Sequence, residues 1–170
     1  MIKGIHHIAI SASDLERSMH FYCDLLGFEK IWDIDWDSVP QMDAIMDLKN
    51  AAGRLVMLQA GNTYVELYQY RHPAPTPVDP NRPVCDHGLT HICVNVSDVD
   101  AEYERLSAAG MKFHSPPMLF DDGKIKCTYG RDPDGNVIEI LETPDPNHTL
   151  ALARTATSSK SQRSFTQHWS

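Results

Sequence analysis

Short runs in which apolar residues recur at every second position predict β-strands along most of the chain. The alternation is clearest in TYVELYQY, residues 63–70, and in NVIEILE, residues 136–142. Asp-Pro-Asp-Gly at 132–135 is a strong turn signal directly before NVIEILE. Further strand-like runs occupy 5–10, 29–36, 54–60, 111–115 and 125–131, and one more follows Gly88.

Each half of the chain also contains one stretch whose apolar residues recur at helical spacing. A capping-box pattern precedes each stretch, with Ser13 as the expected cap of the first helix and Ser97 as that of the second. Gly27 and Gly110 are expected to end these helices, because glycine adopts the left-handed conformation of a helix C-terminus without strain. The apolar positions are Leu15, Met19, Tyr22 and Leu26 in the first helix, and Val99, Tyr103 and Leu106 in the second.

The first half carries an insertion at 37–53, DSVPQMDAIMDLKNAAG, that the second half lacks. Ser38 followed by Pro40 predicts the start of a short helix. Its apolar residues, expected on one side, are Met42, Ile45 and Met46. The insertion is expected either to form a lid or substrate wall, or to pack against the sheet.

An internal repeat relates the two halves. GIHHIAISASDLERS, residues 4–18, aligns with GLTHICVNVSDVDAE, residues 88–102. In this alignment His7 matches His91, whereas His6 has no histidine counterpart. Each half therefore contains a strand, a helix and three further strands.

The last strand of each half repeats as well. YVELY at 64–68 overlays VIEIL at 137–141, which places Glu66 opposite Glu139. A carboxylate with apolar neighbours on both sides is unusual in a half-buried strand. Each half thus holds one histidine in its first strand and one glutamate in its last strand.

These repeated units predict an α+β domain that spans residues 1–145. Module 1 occupies about 4–70, a proline-rich linker 71–87, and module 2 about 88–144. The segment 146–170 is polar and rich in Ser and Thr, which predicts a flexible or partner-dependent tail.

Composition narrows the classes of partner and compartment. Acidic residues outnumber basic ones by 23 to 15, a formal net charge of -8, which argues against nucleic acid or an anionic membrane as partner. No apolar run approaches the roughly 20 residues that cross a bilayer, and the N-terminus lacks a signal-peptide pattern, so we expect a cytoplasmic protein. The four cysteines form no CxxC pair, which argues against a disulfide framework or a zinc knuckle. A small-molecule substrate is the class of partner that remains.

Two similar halves packed side by side would bring the repeated histidines and glutamates to one concave surface. Two carboxylates in such a cleft repel each other and lose solvation, and a divalent cation removes that conflict. Two imidazoles with two carboxylates suit one first-row ion, Ni, Co, Mn, Fe(II) or Zn, and calcium and magnesium less. A single buried histidine is more often a hydrogen-bonded core residue, and a single strand glutamate usually faces solvent. The matched repetition favours the metal site.

Residues 4 to about 144 resemble the vicinal oxygen chelate superfamily through HHIAI, FYCDLLGFEK, VELYQY, GLTHICVNVSD and RDPDGNVIEILE. This superfamily includes glyoxalase I, methylmalonyl-CoA epimerase, extradiol dioxygenases and fosfomycin-resistance proteins. The resemblance implies two βαβββ modules that form a cup-shaped mixed sheet around one metal, with ligands His7, Glu66, His91 and Glu139. This ligand set is similar to that of bacterial glyoxalase I. Methylmalonyl-CoA epimerase commonly has glutamine at the position of Glu66, a chemically near departure.

The ligand set and the resemblance predict a metal-dependent lyase, isomerase or epimerase of the glyoxalase type. A metal with two open positions binds a carbonyl and its neighbouring oxygen and stabilises the enediolate formed when the adjacent carbon loses a proton. Glu139 or Glu66 is the candidate base. Two alternatives stay open. One is an Fe(II)-dependent extradiol-type dioxygenase, with Glu66 as a bystander, and the other is a non-catalytic protein that sequesters an aromatic or drug-like ligand.

Apolar side chains are also expected to line a substrate pocket, although each of them fits ordinary strand packing as well. These residues are Met57, Trp32, Trp36, Phe120 and Tyr129. A homodimer is expected, because half-modules of about 60 residues with one open sheet face seldom stand alone.

Overall fold

The computed structural model describes residues 1–152, and its first half forms a four-stranded sheet. The strands are β1 His7–Ser11, β2 Glu29–Asp37, β3 Ala52–Ala60 and β4 Thr63–His72. They lie in the order β1-β4-β3-β2, with β1 parallel to β4 and the other pairs antiparallel. The helices are α1 Leu15–Met19, which continues as a π-helical turn at His20–Leu25, and α2 Pro40–Met46 in the insertion.

The second half repeats this arrangement with shorter strands. They are β5 Ile92–Asn95, β6 Lys112–Phe113, β7 Met118–Phe120, β8 Ile125–Arg131 and β9 Val137–Glu142. The order is β5-β9-β8-β6, and β7 pairs with β8. The helix is α3 Val99–Ala108, and a 3-10 turn follows β7 at Asp121–Gly123.

The predicted α+β class, with a strand, a helix and further strands in each half, is confirmed. The pattern did not predict β7, and the run at 111–115 contributes only the two residues of β6. Within residues 1–152 no ladder joins β1 to β5. The two modules therefore form two separate mixed sheets, in which β1 and β5 are edge strands.

The N-terminal caps of α1 and α3 differ from the prediction by one residue. Asp14 and Asp98, not Ser13 and Ser97, occupy the cap positions. Each carboxylate accepts the backbone N–H three residues later at 3.0 Å. An aspartate cap also places a negative charge at the positive end of the helix dipole, which a serine cap does not.

The first and third helices end at the predicted glycines. Gly27 has φ +75° and Gly110 has φ +97°, both in the region that favours glycine. The Gly27 N–H donates to the carbonyl of Cys23 at 3.1 Å, and the Gly110 N–H donates to that of Ser107 at 3.0 Å. These bonds satisfy carbonyls that the end of a helix leaves unpaired.

One face of each sheet packs against the helices and contributes to a single hydrophobic cluster. In β4, Val65 and Leu67 belong to this cluster, and in β9 Ile138 and Ile140 do. The helices contribute Leu15, Tyr22, Val99 and Leu106. Because successive residues of a strand point to opposite faces, the residue between each strand pair points away from the core. We call that opposite side of each sheet the open face.

The insertion forms α2, but its details differ from the prediction. Val39, not Ser38, occupies the N-cap position, and no side chain caps the helix. Ile45 is 86% exposed, so the apolar side predicted for this helix is not buried as a unit. The Asp43 carboxylate accepts two backbone N–H groups from the segment after the helix, each at 2.8 Å. These hydrogen bonds join the end of the insertion back to α2.

The Asp-Pro-Asp-Gly turn docks module 2 onto the first helix of module 1. Asp134 accepts the Ser13 N–H at 3.0 Å, the Ser13 hydroxyl at 2.5 Å and the Arg17 guanidinium at 2.8 Å. The Tyr22 hydroxyl donates to Asp132 at 2.8 Å. Burial, and then the Asp132 charge, raise the pKa of Tyr22. Ser13 thus joins the modules instead of capping its helix.

Tyr22→Phe is expected to lower the free energy of unfolding by about 1–2 kcal/mol, because it removes a hydrogen bond from a buried carboxylate. Asp132 keeps three other donors, two backbone N–H groups and the Asn136 amide, which limits the loss. Urea unfolding of both proteins measures the difference. Tyr103→Phe, on the half-buried Tyr103 beside Phe113, is the matched control and should cost less than about 0.5 kcal/mol. Equal losses in the two variants would contradict the docking role of Tyr22.

Within residues 1–152 no helix is long and apolar enough to cross a bilayer. Residues 153–170 of the expected tail lie outside the described part of the chain.

Candidate metal site

A histidine and a glutamate of module 1 form a pair on the open face of the first sheet. His7 begins β1, and Glu66 lies in β4 in register with Ala9. Since alternate residues of a strand share a face, both side chains lie on the open side. The Nε2 atom of His7 is 3.6 Å from Oε2 of Glu66. Only 8% of Glu66 is exposed, so the carboxylate lies at the bottom of this site.

Module 2 forms the equivalent pair. His91 directly precedes β5, and Glu139 lies in β9 in register with Cys93. The Nε2 atom of His91 is 3.1 Å from Oε2 of Glu139, and 8% of Glu139 is exposed. The structure therefore places each predicted histidine beside the predicted glutamate of its own module.

The spacing within each pair fits two neighbouring ligands of one ion. Ligand atoms about 2.1 Å from a metal lie about 3.0 Å apart at a right angle and about 3.4 Å apart at the tetrahedral angle. The two His–Glu distances, 3.1 Å and 3.6 Å, are close to these values. Imidazole nitrogen and carboxylate oxygen are donors that suit first-row divalent ions. The residues present fit the predicted class of ion.

The two pairs remain separate groups in the single chain. Within residues 1–152 no three His, Cys, Asp or Glu side chains are grouped so that they could hold an ion. A depression of about 400 Å³ contains His7 and Glu66, and one of about 310 Å³ contains His91. Both are lined by Ala9, Ile10 and Ser11 of β1. The His7–Glu66 pair and His91 thus lie beside the same edge strand, and joint binding of one ion by the four side chains stays a prediction.

Aromatic side chains surround the pair in module 1. Tyr68 and Tyr70 stack with ring centres 5.5 Å apart, and Trp36 meets each of them edge to face. A Cβ atom at Gly53 would lie 2.5 Å from the Trp36 ring, so glycine leaves room for the indole. Burial, and then the Glu66 charge, raise the pKa of both tyrosines, which therefore stay protonated near neutral pH. They present phenol donors beside the glutamate.

Thiols surround the pair in module 2. Partial burial, and then the Glu139 carboxylate, raise the pKa of Cys93 to about 12. Burial and the same carboxylate raise the pKa of Cys127 to about 11. Both therefore remain neutral thiols near neutral pH. The His91 ring lies 4.9 Å from the Tyr129 ring, which lines the same face.

Four of the five predicted pocket residues lie near the pairs. Trp32 is in register with Met57, and Met57 with the glutamate of β4, so they form a row on the open face. Trp36 contacts the ring of Tyr68, and Tyr129 contacts the ring of His91. Phe120 is 53% exposed on β7 and lines neither depression. Contact of any of these residues with substrate stays a prediction.

Sequence reasoning missed Tyr68 and Tyr70 as site residues. The signal was present, because both follow Glu66 at intervals of two in a strand whose period is two. The α2 helix reaches this wall, since the Tyr70 hydroxyl donates to Met46 Sδ at 3.8 Å. This contact packs the insertion against the sheet, and a role as lid or substrate wall stays a prediction.

A second missed feature ties each helix to the glutamate strand. Gln69 accepts the N–H of Leu15 at 3.4 Å, and Glu142 accepts the N–H of Val99 at 3.0 Å. Both acceptors stand three residues after the repeated glutamate. They fix the start of the helix relative to the strand that carries the site.

Comparison with known proteins agrees with this architecture. A protein named 2-epi-5-epi-valiolone epimerase, from an Actinomyces species, is 29% identical and the match covers 83% of this chain and 80% of the relative. The uncharacterized protein YaeR of Escherichia coli is 32% identical, with 83% and 97% covered. Proteins named lactoylglutathione lyase also match, at 24–26% identity.

The fold is shared with solved structures. A glyoxalase family protein from Bacillus cereus superimposes with a TM-score of 0.76 at 17% identity, covering 84% of this chain and 95% of that one. Residues 4–140 match the family described as the Glyoxalase/Bleomycin resistance protein/Dioxygenase superfamily. This match spans both His–Glu pairs. The chain therefore belongs to that superfamily, and the resemblance to the vicinal oxygen chelate superfamily is confirmed.

Proposed function

We propose that this protein is a divalent-transition-metal-dependent isomerase, epimerase or lyase that moves a proton at a carbon beside a carbonyl group. The observation that carries the proposal is the pair of equivalent His–Glu contacts, one in each module, at ligand-like distances. The two contacts occupy the same position in both repeats, and both carboxylates are buried, which costs solvation unless a cation or another partner compensates. A shared ion gives a reason for both features.

The four side chains divide the chemical work between them. His7 and His91 would hold the ion through Nε2, and Glu66 and Glu139 through Oε2, the atoms that face each other now. The bound ion supplies Lewis acidity to a substrate carbonyl oxygen, which acidifies the neighbouring carbon–hydrogen bond. One of the two carboxylates takes the proton from that carbon and returns it, to the same atom or to its neighbour.

The surroundings of the pairs favour Glu139 as the proton acceptor. Glu66 is lined by Tyr68 and Tyr70, whose protonated phenols are strong hydrogen-bond donors to a carboxylate or to a substrate oxygen. Glu139 is lined by Cys93 and Cys127, and a thiol is a weak donor. A carboxylate that accepts only weak hydrogen bonds has its oxygens more available to a substrate proton. The phenols of module 1 are then available to orient the substrate.

The names of the relatives support the same reaction class. One relative is named an epimerase and others are named lactoylglutathione lyases. At 24–29% identity these names support a shared class of chemistry, and they leave the substrate of this protein to experiment.

Exchange of a substrate proton with solvent tests the proposal. The purified protein is treated with a chelator, reloaded with Co(II), Ni(II), Mn(II), Zn(II) or Fe(II), and incubated in D₂O with 2-epi-5-epi-valiolone, with methylglyoxal plus glutathione, or with acyl-CoA thioesters. NMR is expected to show deuterium entering the carbon beside a carbonyl of one of these compounds, only when metal is present. Exchange that is unchanged by metal removal would contradict the proposal. Fe(II)-dependent oxygen uptake with a catechol would replace it with the dioxygenase alternative.

A further inference from the structure

Each histidine of the two pairs is also held at its second ring nitrogen. His7 Nδ1 lies 2.9 Å from Nδ1 of His6, and His91 Nδ1 lies 2.9 Å from Oγ1 of Thr90. In both modules the partner is the residue directly before the histidine. The contact at Nδ1 therefore recurs in both modules, although its partner is a histidine in one and a threonine in the other. A comparison of residue types between the halves does not reveal it.

His6 is itself held in place by β4, the strand that contains Glu66. Its ring stacks on Tyr64 with ring centres 5.1 Å apart and planes 26° apart. Its carbonyl accepts the N–H of Tyr64 at 3.2 Å and the hydroxyl of Thr63 at 3.0 Å. Two hydrogen bonds to its backbone carbonyl and one ring contact therefore hold His6 against β4, beside His7.

We propose that His6 and Thr90 are positioning residues that orient His7 and His91 for binding a metal ion, an assignment that rests on the proposed function. A neutral imidazole carries one N–H, on either nitrogen. In this assignment the Thr90 hydroxyl oxygen accepts the Nδ1–H of His91, and Nδ1 of His6, with its own proton on Nε2, accepts the Nδ1–H of His7. The acceptor keeps the proton of the ligand histidine on Nδ1.

The consequence falls on the nitrogen that faces the glutamate. With its proton on Nδ1, the imidazole directs the lone pair of Nε2 toward the carboxylate, where an ion binds. Without the acceptor, the proton can move to Nε2 and donate to the glutamate 3.1–3.6 Å away, which removes the lone pair from the ion's position. Loss of such an outer partner typically weakens metal binding by about 10–100-fold.

Co(II) binding by single variants tests the assignment. Thr90→Val keeps the shape of the side chain and removes the acceptor, and His6→Phe keeps a ring against Tyr64 and removes Nδ1. Each is expected to raise the Co(II) dissociation constant by about 10–100-fold, measured by visible absorption. Thr90→Ser and His6→Asn, which keep an acceptor, should restore binding to within about threefold of the wild type. Ser97→Ala removes an exposed hydroxyl of the same module and serves as the control.

Proton NMR of the Zn(II)-loaded protein gives an independent readout. The wild type is expected to show two protected imidazole Nδ1–H resonances, of which Thr90→Val loses the one from His91 and His6→Phe the one from His7. If the wild type binds Co(II) and both variants bind it equally well with their resonances intact, the positioning role is wrong while the proposed function stands. If the wild type binds neither ion, the proposed function fails and this assignment fails with it.

Discussion

Replacing His91 with alanine is expected to weaken Co(II) binding by more than about 100-fold, because the substitution removes a ligand nitrogen. Loss of a residue that only orients a ligand weakens binding by at most about that factor. His7→Ala should have an effect of similar size, since His7 forms the equivalent pair in module 1. Each dissociation constant is measured by competition with a chelator of known affinity. Both variants should stay folded, because both side chains lie on the open face outside the hydrophobic cluster.

His20 offers a matched control for the histidine variants. Its Nδ1 lies 2.8 Å from the carboxylate of Asp24, so it also forms a His–acid pair. That pair is unrepeated, and its side chains are 65% and 68% exposed on the helix surface. His20→Ala is expected to bind Co(II) as the wild type does. A loss as large as that of His91→Ala would show that binding does not depend on the repeated pairs.

Replacing Glu139 with glutamine is expected to slow deuterium exchange beside the substrate carbonyl by about 10²–10⁴-fold at saturating metal. Glutamine keeps an oxygen at the ligand position but is not a base. Cys93 and Cys127 do not replace it near neutral pH, because burial, the largest cause that raises the pKa of both thiols, persists in the variant. NMR in D₂O measures the exchange rate, and metal analysis confirms that the variant is loaded.

Glu142 provides the matched control on the same strand. Its side chain accepts the Val99 N–H, a role that Gln69 performs at the equivalent position of module 1. Glu142→Gln is therefore expected to fold and to exchange the substrate proton at the wild-type rate. Undiminished exchange by a metal-loaded Glu139→Gln protein would remove Glu139 from the role of base and transfer that role to Glu66.

The period of the hydrophobic pattern predicted the strands and the helix ends because burial on one face is a strong local constraint. The internal repeat identified His7, Glu66, His91 and Glu139, which the structure arranges as two His–Glu pairs, since a repeat carries position as well as residue type. The predicted cap of the first helix was wrong because Ser13 bonds to Asp134, 121 residues later, a contact that no local pattern contains. In the third helix Asp98 caps in place of Ser97. Ile45 is exposed, and the loop after α2 is held by hydrogen bonds from the Asn50 and Ala51 N–H groups to Asp43.

Contacts between the two sheets could not be predicted from the sequence. Side-chain periodicity predicts which face a residue occupies, but it does not measure how closely the edge strands β1 and β5 approach. The four predicted ligands accordingly appear as two separate pairs, one in each module. The homodimer expected from the open sheet faces and the cytoplasmic location stay predictions.

The central claim is that both His–Glu pairs bind one ion together. X-ray absorption spectroscopy of the Co(II)-loaded protein, combined with elemental analysis, tests it directly. We predict one ion per chain with two imidazoles in its coordination shell, falling to one imidazole in either His7→Ala or His91→Ala loaded at high Co(II). Two ions per chain, each with a single imidazole in the wild type, would contradict the account.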